Sequence, residues 1–189
     1  MSTERRIVYF ERGGAENTAE TLRLARERTD ELDLRAAVVA SYSGETGAKA
    51  AAVFAGRDLV VCGGVYGFRE PNAVAMKNEH RAAIERAGGR LFFAGHAFGM
   101  IGRAVNRRIG GVQADEIVAN TLRVFGQGLK VCCEIACMAT DAGLIRSGEE
   151  ILAVAGTGKG ADTAVVLAAA NTHTFFDTRI REIVCMPRL

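Results

Sequence analysis

Tryptophan is absent from this 189-residue chain, proline occurs twice, histidine three times, and aromatic residues make up 6%. With 22 glycines against those two prolines, the sequence predicts many tight backbone turns rather than an aromatic-rich core. An excess of charge is missing too: 24 lysines and arginines face 22 aspartates and glutamates, a formal net charge of +2. That balance gives no support to a nucleic-acid partner or a membrane surface. No apolar run reaches the roughly 18 residues that a membrane helix needs. Met1 to Arg6 leads into the short apolar piece Ile7–Phe10 and then into charge, which predicts no secretory signal.

A cysteine framework is also lacking. The five cysteines, Cys62, Cys132, Cys133, Cys137 and Cys185, are odd in number and contain no CxxC, which predicts reduced thiols in a cytoplasmic protein. Cys133 and Cys137 share a helix face, but their neighbours Val131, Ile135, Ala136 and Met138 are apolar, so they read as small buried hydrophobes. Scattered histidines and no clustered ligands predict no metal site. What is present is an ordinary globular composition, 49% hydrophobic and 24% charged, which predicts one domain over residues 1–189. A chain of this size buries roughly 70% of its extended surface and needs no disulfide or metal to hold its core.

Short β-branched runs alternate with helix-period segments. Strands are expected at Arg6–Phe10, Ala36–Ala40, Asp58–Cys62, Arg90–Ala94, Ile151–Ala155, Thr163–Leu167 and Ile180–Met186. A first helix opens with Asn17 as cap and Glu20 three residues on, the pattern of a capping box. Gly44–Phe54 and Lys77–Ala87 read as helices, and Ala114–Gly143 as two helices meeting at Gly126-Gln127-Gly128. Alternation of this kind implies an α/β fold, a mostly parallel sheet with helices on both faces. The last third, with little helix between its strands, predicts an antiparallel edge or hairpin.

Ligands in such folds bind beyond the carboxyl ends of the strands, and four loops there are unusual. Ser41, Ser43, Gly44, Glu45 and Thr46 open a helix directly after a strand, offering hydroxyls, a glycine and a helix N-terminus to a phosphate, or simply a helix cap. Gly156, Thr157, Gly158, Lys159, Gly160, Ala161, Asp162 and Thr163 follow another strand. This is neither a Walker A loop nor GxGxxG, but its amides, hydroxyls and cation suit a phosphoryl group; Asp162 either accepts a hydroxyl or holds the turn. The segment Gly63 to Pro71 carries Tyr66 and Phe68 for stacking, Gly67 for a turn, and Arg69 for a phosphate or for Glu70. His96 stands in Gly95–Gly102, ahead of a helix whose Arg103, Arg107 and Arg108 read as a solvated basic face. Glu134 and Asp141 read as surface or capping acids, and no nucleophile elbow is present.

Taken together, Tyr9–Glu11 with Glu16–Leu22, Val39–Thr46, Gly67–Pro71, Thr121–Val131, Gly156–Ala164 and Phe175–Ile180 resemble blocks of the stand-alone family named for the pyruvate kinase C-terminal α/β domain, over nearly the whole length. The resemblance implies a three-layer α/β/α sandwich. It does not imply pyruvate kinase activity, which belongs to a barrel of roughly 250 residues that this chain is too short to contain. It implies flavin mononucleotide (FMN) as cofactor, its phosphate on Ser41–Thr46 and Gly156–Thr163 and its ring against Phe68, Tyr66 or Phe98. Where the family tends to carry histidine before the Gly-Phe-Arg-Glu-Pro block, this chain has Gly63-Gly64-Val65-Tyr66. The expected function is thus binding of a phosphate-bearing small molecule, FMN first, with the flavin supplying any redox chemistry. The alternative is a non-catalytic regulatory domain that senses a phosphorylated metabolite. A third reading is a homo-oligomerisation domain that uses apolar faces around Ile135, Met138 and Leu144.

Overall fold

In the computed structural model, which describes residue 2 and residues 4–188, the β-branched runs become seven strands of one sheet. The order along the chain is β1 (Val8–Phe10), α1 (Thr18–Glu31), β2 (Ala36–Ser41), α2 (Glu45–Val53), β3 (Asp58–Gly63), α3 (Asn78–Arg86) and β4 (Arg90–Phe93). It continues with α4 (Ile101–Ile109), α5 (Ala114–Arg123), α6 (Gln127–Asp141), β5 (Glu150–Ala155), β6 (Thr163–Ala168) and β7 (Arg179–Pro187). Spatial order is β1-β7-β6-β5-β2-β3-β4, and β6 alone runs against its neighbours. The antiparallel strand forms the expected hairpin with β5, but as an interior strand flanked by β5 and β7 and not as an edge; β1 and β4 form the edges.

Strand period 2 sorts the central side chains onto two faces. Ala37, Val39, Val61, Val154 and Val166 face one layer with Leu22, Ala25, Phe54 and Ile84, from α1, α3 and the end of α2. Val38, Val60, Ala153 and Val165 face the other, under Leu129, Cys132, Cys133 and Ala136 of α6. The three-layer α/β/α sandwich follows. Both faces of the inner strands are covered, so these strands read as continuous apolar runs instead of alternating ones. Outside α6 lie α5 and then α4, an outer helical pair.

Two local expectations change. Asn17 does not cap α1 through a box: a 3-10 turn over Ala15–Asn17 already gives it helical backbone angles, φ −84° and ψ −7°, where a cap needs an extended residue. Its amide donates to the Arg12 carbonyl at 2.7 Å, and Glu20 pairs with Arg23 at 2.7 Å. The apolar faces proposed for oligomer contact are also occupied. Ile135 and Met138 are buried in the core, with Leu144 packed against it. Several large exposed apolar side chains lie instead on the outer pair and its connections, Ile101, Ile109, Val112, Ile117, Val124 and Phe125, with others such as Phe176 elsewhere.

All five cysteines are buried free thiols. Burial pushes Cys62 and Cys133 up to about 12. Among the described residues no helix is long and apolar enough to cross a membrane.

Candidate functional site

From β2 the chain crosses to β3 through α2 on one face, and from β4 it returns to β5 through α4–α6 on the other. The connections therefore diverge at β2, the kind of switch point where open α/β sheets bind ligands. At that place the structure has a cleft of about 280 Å³ between the ends of β2 and β3 and the first turns of α6. It is slightly below the roughly 300–1,000 Å³ usual for small-molecule sites. A neighbouring cavity of about 170 Å³ shares Tyr42 and Phe68 with it, so these two rings form the partition.

The lining is cationic. Arg103, Arg123 and Lys130 contribute to it beside His96, and among the described lining residues Glu134 is the one acid. The amide end of α6 adds to this: Gln127 lines the cleft, and the first turn of α6 carries no acidic residue. Unpaired N–H groups and the helix dipole there favour an anion. Gly128 lets this helix end approach the start of β6, because a Cβ would lie 2.0 Å from the Thr163 hydroxyl.

Lys130 and Glu134 are one turn apart on α6 and both only 6% exposed at the side chain, with Nζ 2.5 Å from Oε2. The other carboxylate oxygen accepts the Phe98 N–H at 3.1 Å. A single charge buried here would be costly, whereas the pair neutralises itself and fixes the Phe98 loop. Burial draws the Lys130 ammonium below its ordinary range; Glu134 opposes that shift, and the Arg123 and Arg103 cations add to it. Glu134 is thus neither the surface nor the capping acid its sequence position suggests. Asp141 does cap: it accepts the Thr172 N–H at 3.0 Å at the start of a 3-10 turn.

Arg103 also departs from expectation. Arg107 and Arg108 are exposed, but Arg103 turns inward and lies 5.0 Å over the Phe68 ring. Its Nη1 is closed off from solvent and has no hydrogen-bond partner. A buried donor without an acceptor costs about 1–3 kcal/mol, more for a charged group.

His96 packs against Phe68 from another side, ring centroids 5.2 Å apart. Burial holds its pKa below 6.5; Lys130 and Arg103 push the same way, against Glu134. A histidine with a depressed folded pKa lets the unfolded state take the proton first, so its stabilising contribution is full above about pH 6.5 and falls as pH drops toward the folded value. Urea unfolding between about pH 7.5 and about pH 5 is expected to show that decline, and His96→Gln to flatten it. An unchanged profile in the variant would refute the assignment. The lowered carboxylates of Glu116, Asp141 and Glu182 act in a more acidic window.

Of the sequence-predicted residues, the cleft brings together Ser41, Phe68 and His96. The Ser41 hydroxyl oxygen accepts the Gly47 N–H at 2.8 Å, anchoring α2. The rest of that loop turns toward α3. Ser43 accepts the Lys77 N–H at 3.1 Å, Glu45 pairs with Lys49 at 2.8 Å, and Thr46 is buried. Gly44, at φ +93°, packs so closely that a Cβ would lie 2.4 Å from the Met76 sulfur. Arg69 lies 5.6 Å over the Tyr42 ring in the neighbouring cavity, and Gly67 makes an exposed turn.

Gly156, Thr157, Gly158, Lys159, Gly160, Ala161, Asp162 and Thr163 form the β5–β6 hairpin loop and the strand start beyond it, outside the cleft lining. Asp162, fully buried, accepts the Gly14 and Thr157 amides at 2.9 Å each and the Thr163 hydroxyl at 2.8 Å. It holds the turn, and its carboxylate already uses the Thr157 amide that a phosphate would have taken.

Tyr42, Arg103, Arg123, Lys130 and Glu134 complete the cleft. The departure at Gly63-Gly64 has a structural counterpart: a Cβ on Gly64 would lie 2.4 Å from the Tyr42 ring, so glycine there leaves room for the aromatic partition.

No family model matches this chain. Among solved structures it is similar to a pyruvate kinase from Cryptosporidium parvum, at 12% identity and a TM-score of 0.33, over 71% of this chain and 20% of that one. It is also similar to Cryptosporidium parvum pyruvate kinase in complex with ADP, at 11% identity and a TM-score of 0.34, over 87% of this chain and 23% of that one. The chain thus spans about a fifth of the length of these enzymes.

Proposed function

We propose that this protein binds a phosphate-bearing small molecule in the cleft between β2, β3 and α6, with FMN as the first candidate. The observation that carries the reading is the cleft lining itself: Arg103, whose buried Nη1 has no hydrogen-bond partner, stands there with Arg123, Lys130 and His96. An anionic group accepting from Arg103 would remove a desolvation cost that the free protein carries. The aromatic partition of Tyr42 and Phe68 suits a planar ring, and the sequence blocks that resemble the FMN-associated family support a flavin over other ring-bearing phosphates. Bound FMN would supply redox chemistry of its own; the chain's part is to hold the phosphate, flank the ring and keep water from it.

A sensing role without catalysis is favoured by a second observation. The two hydroxyl or thiol groups nearest the strand ends are poor nucleophiles: Ser41 is committed to Gly47, and the Cys62 thiol is pushed up to about 12. Both readings place the ligand at Arg103. Titration of the protein with FMN, followed by quenching of flavin fluorescence, is expected to show saturable binding. Arg103→Met is expected to weaken it about 10- to 150-fold, the loss of one charge-assisted hydrogen bond of about 1.5–3 kcal/mol. Unchanged affinity in the variant would place the phosphate elsewhere. Saturable binding of sugar phosphates with none of FMN would select the sensing domain.

A further inference from the structure

The four lysines of the chain are Lys49, Lys77, Lys130 and Lys159. Lys49, Lys77 and Lys159 are exposed, whereas Lys130 is 5% exposed and lines the cleft. Its nitrogen has a carboxylate at 2.5 Å and the Phe98 ring centroid at 5.6 Å, and among the described residues Glu134 is its one hydrogen-bond partner. Holding an anion does not require this arrangement, since Arg103 and Arg123 already supply permanent charge there. What it provides is an amine, a proton acceptor in contact with it, and poor access for bulk water.

We infer that Lys130 captures the carbonyl carbon of a phosphate-bearing aldehyde or ketone as a reversible imine, with Glu134 moving the protons and Arg103 holding the phosphate. The inference rests on the anion-binding part of the function proposed above and adds the chemistry of the captured group. Glu134 first takes one proton from the ammonium. The freed lone pair forms the C–N bond while the carbonyl π pair moves to oxygen, and Glu134 returns its proton to that oxygen, giving a carbinolamine. A second proton passes from nitrogen through Glu134 to the hydroxyl, water leaves, and the nitrogen lone pair closes a protonated C=N bond. One carbonyl and one ammonium thus give one iminium and one water, with no oxidant or reductant. Burial and the two arginines favour the neutral amine that the first step needs. The enclosed pair slows hydrolysis of the product.

The test uses the whole protein with pyridoxal 5′-phosphate as probe, borohydride reduction and peptide mapping, so the exposed lysines act as internal controls. Lys130 is expected to be labelled at least about ten-fold faster than any of the other three, and inorganic phosphate to protect it. Pyridoxal without the phosphate is expected to label it poorly. Lys130→Arg, which keeps a cation beside Glu134, should abolish the label while phosphate-competed binding of the probe persists. Should that variant not fold, the map of the unaltered protein decides alone. Phosphate-competed binding without Lys130 labelling would overturn the imine and leave the anion site standing. Labelling confined to exposed lysines, with no phosphate effect on the probe, would overturn both.

Discussion

Glu134→Gln is expected to lower stability by about 3–5 kcal/mol, although the replacement has the same shape. The amide still offers an oxygen to the Phe98 N–H, so packing and that hydrogen bond are preserved. What is lost is the counter-charge for an ammonium that is 6% exposed at the side chain and already faces Arg103 and Arg123. Removing one partner of a buried pair strands the other, which costs far more than the net worth of the pair. It follows that Lys130→Met combined with Glu134→Gln should recover most of the loss, because no charge is then left in the interior. Urea unfolding of the two singles and the double variant reads the coupling directly. A Glu134→Gln loss below about 1 kcal/mol, or additive losses in the double variant, would mean that the pair is solvated and not buried.

Asp162→Ala is the second large effect, expected at about 3–5 kcal/mol. Three donors converge on this carboxylate: the Gly14 amide from the β1–α1 connection, the Thr157 amide from its own loop, and the Thr163 hydroxyl at the start of β6. Alanine removes the acceptor of all three: the buried Thr163 hydroxyl and the two amides, which are only part-buried, lose bonds to a charged group worth about 1.5–3 kcal/mol each, less whatever water at the amides and rotation of the hydroxyl recover. Asp162→Asn should behave differently. Its carbonyl oxygen can serve both amides, while its NH2 donates to a Thr163 hydroxyl that rotates to accept, so most of the loss is avoided. Thermal unfolding of the two variants checks the contrast. Equal losses would show that charge, and not hydrogen-bond satisfaction, is what the site requires.

The strands and helices were legible because their signals are local. Runs such as Ala36–Ala40 and Leu59–Cys62 announce doubly covered strands, and Gly126-Gln127-Gly128 marks the break between α5 and α6. The place of β6 was not legible, since which strand ends up interior depends on the long crossover from β4 to β5, not on any residue of β6 itself. The aromatic loop and His96 were found from their position after strands. Glu134 reads as a surface or capping acid and Lys130 draws no notice, although two charges four residues apart within Leu129–Met138, otherwise nearly all apolar, signal a buried pair on a core helix. Arg103 gave no such signal: it stands near Arg107 and Arg108 on the same helix, and only the packing of Phe68 against it sets it apart. The glycine-rich loop reads as a phosphate cradle by composition, but its own aspartate takes up the donors that composition counts as free.

Amide chemical-shift mapping of the 15N-labelled protein during an FMN titration locates the ligand. The largest shifts are expected at Ser41, Tyr42, Gly63, Gly64, Phe98 and Gln127–Lys130, around the cleft and the amide end of α6. Shifts concentrated at Thr157–Gly160 with the cleft amides unmoved would contradict that placement and return the phosphate to the β5–β6 hairpin.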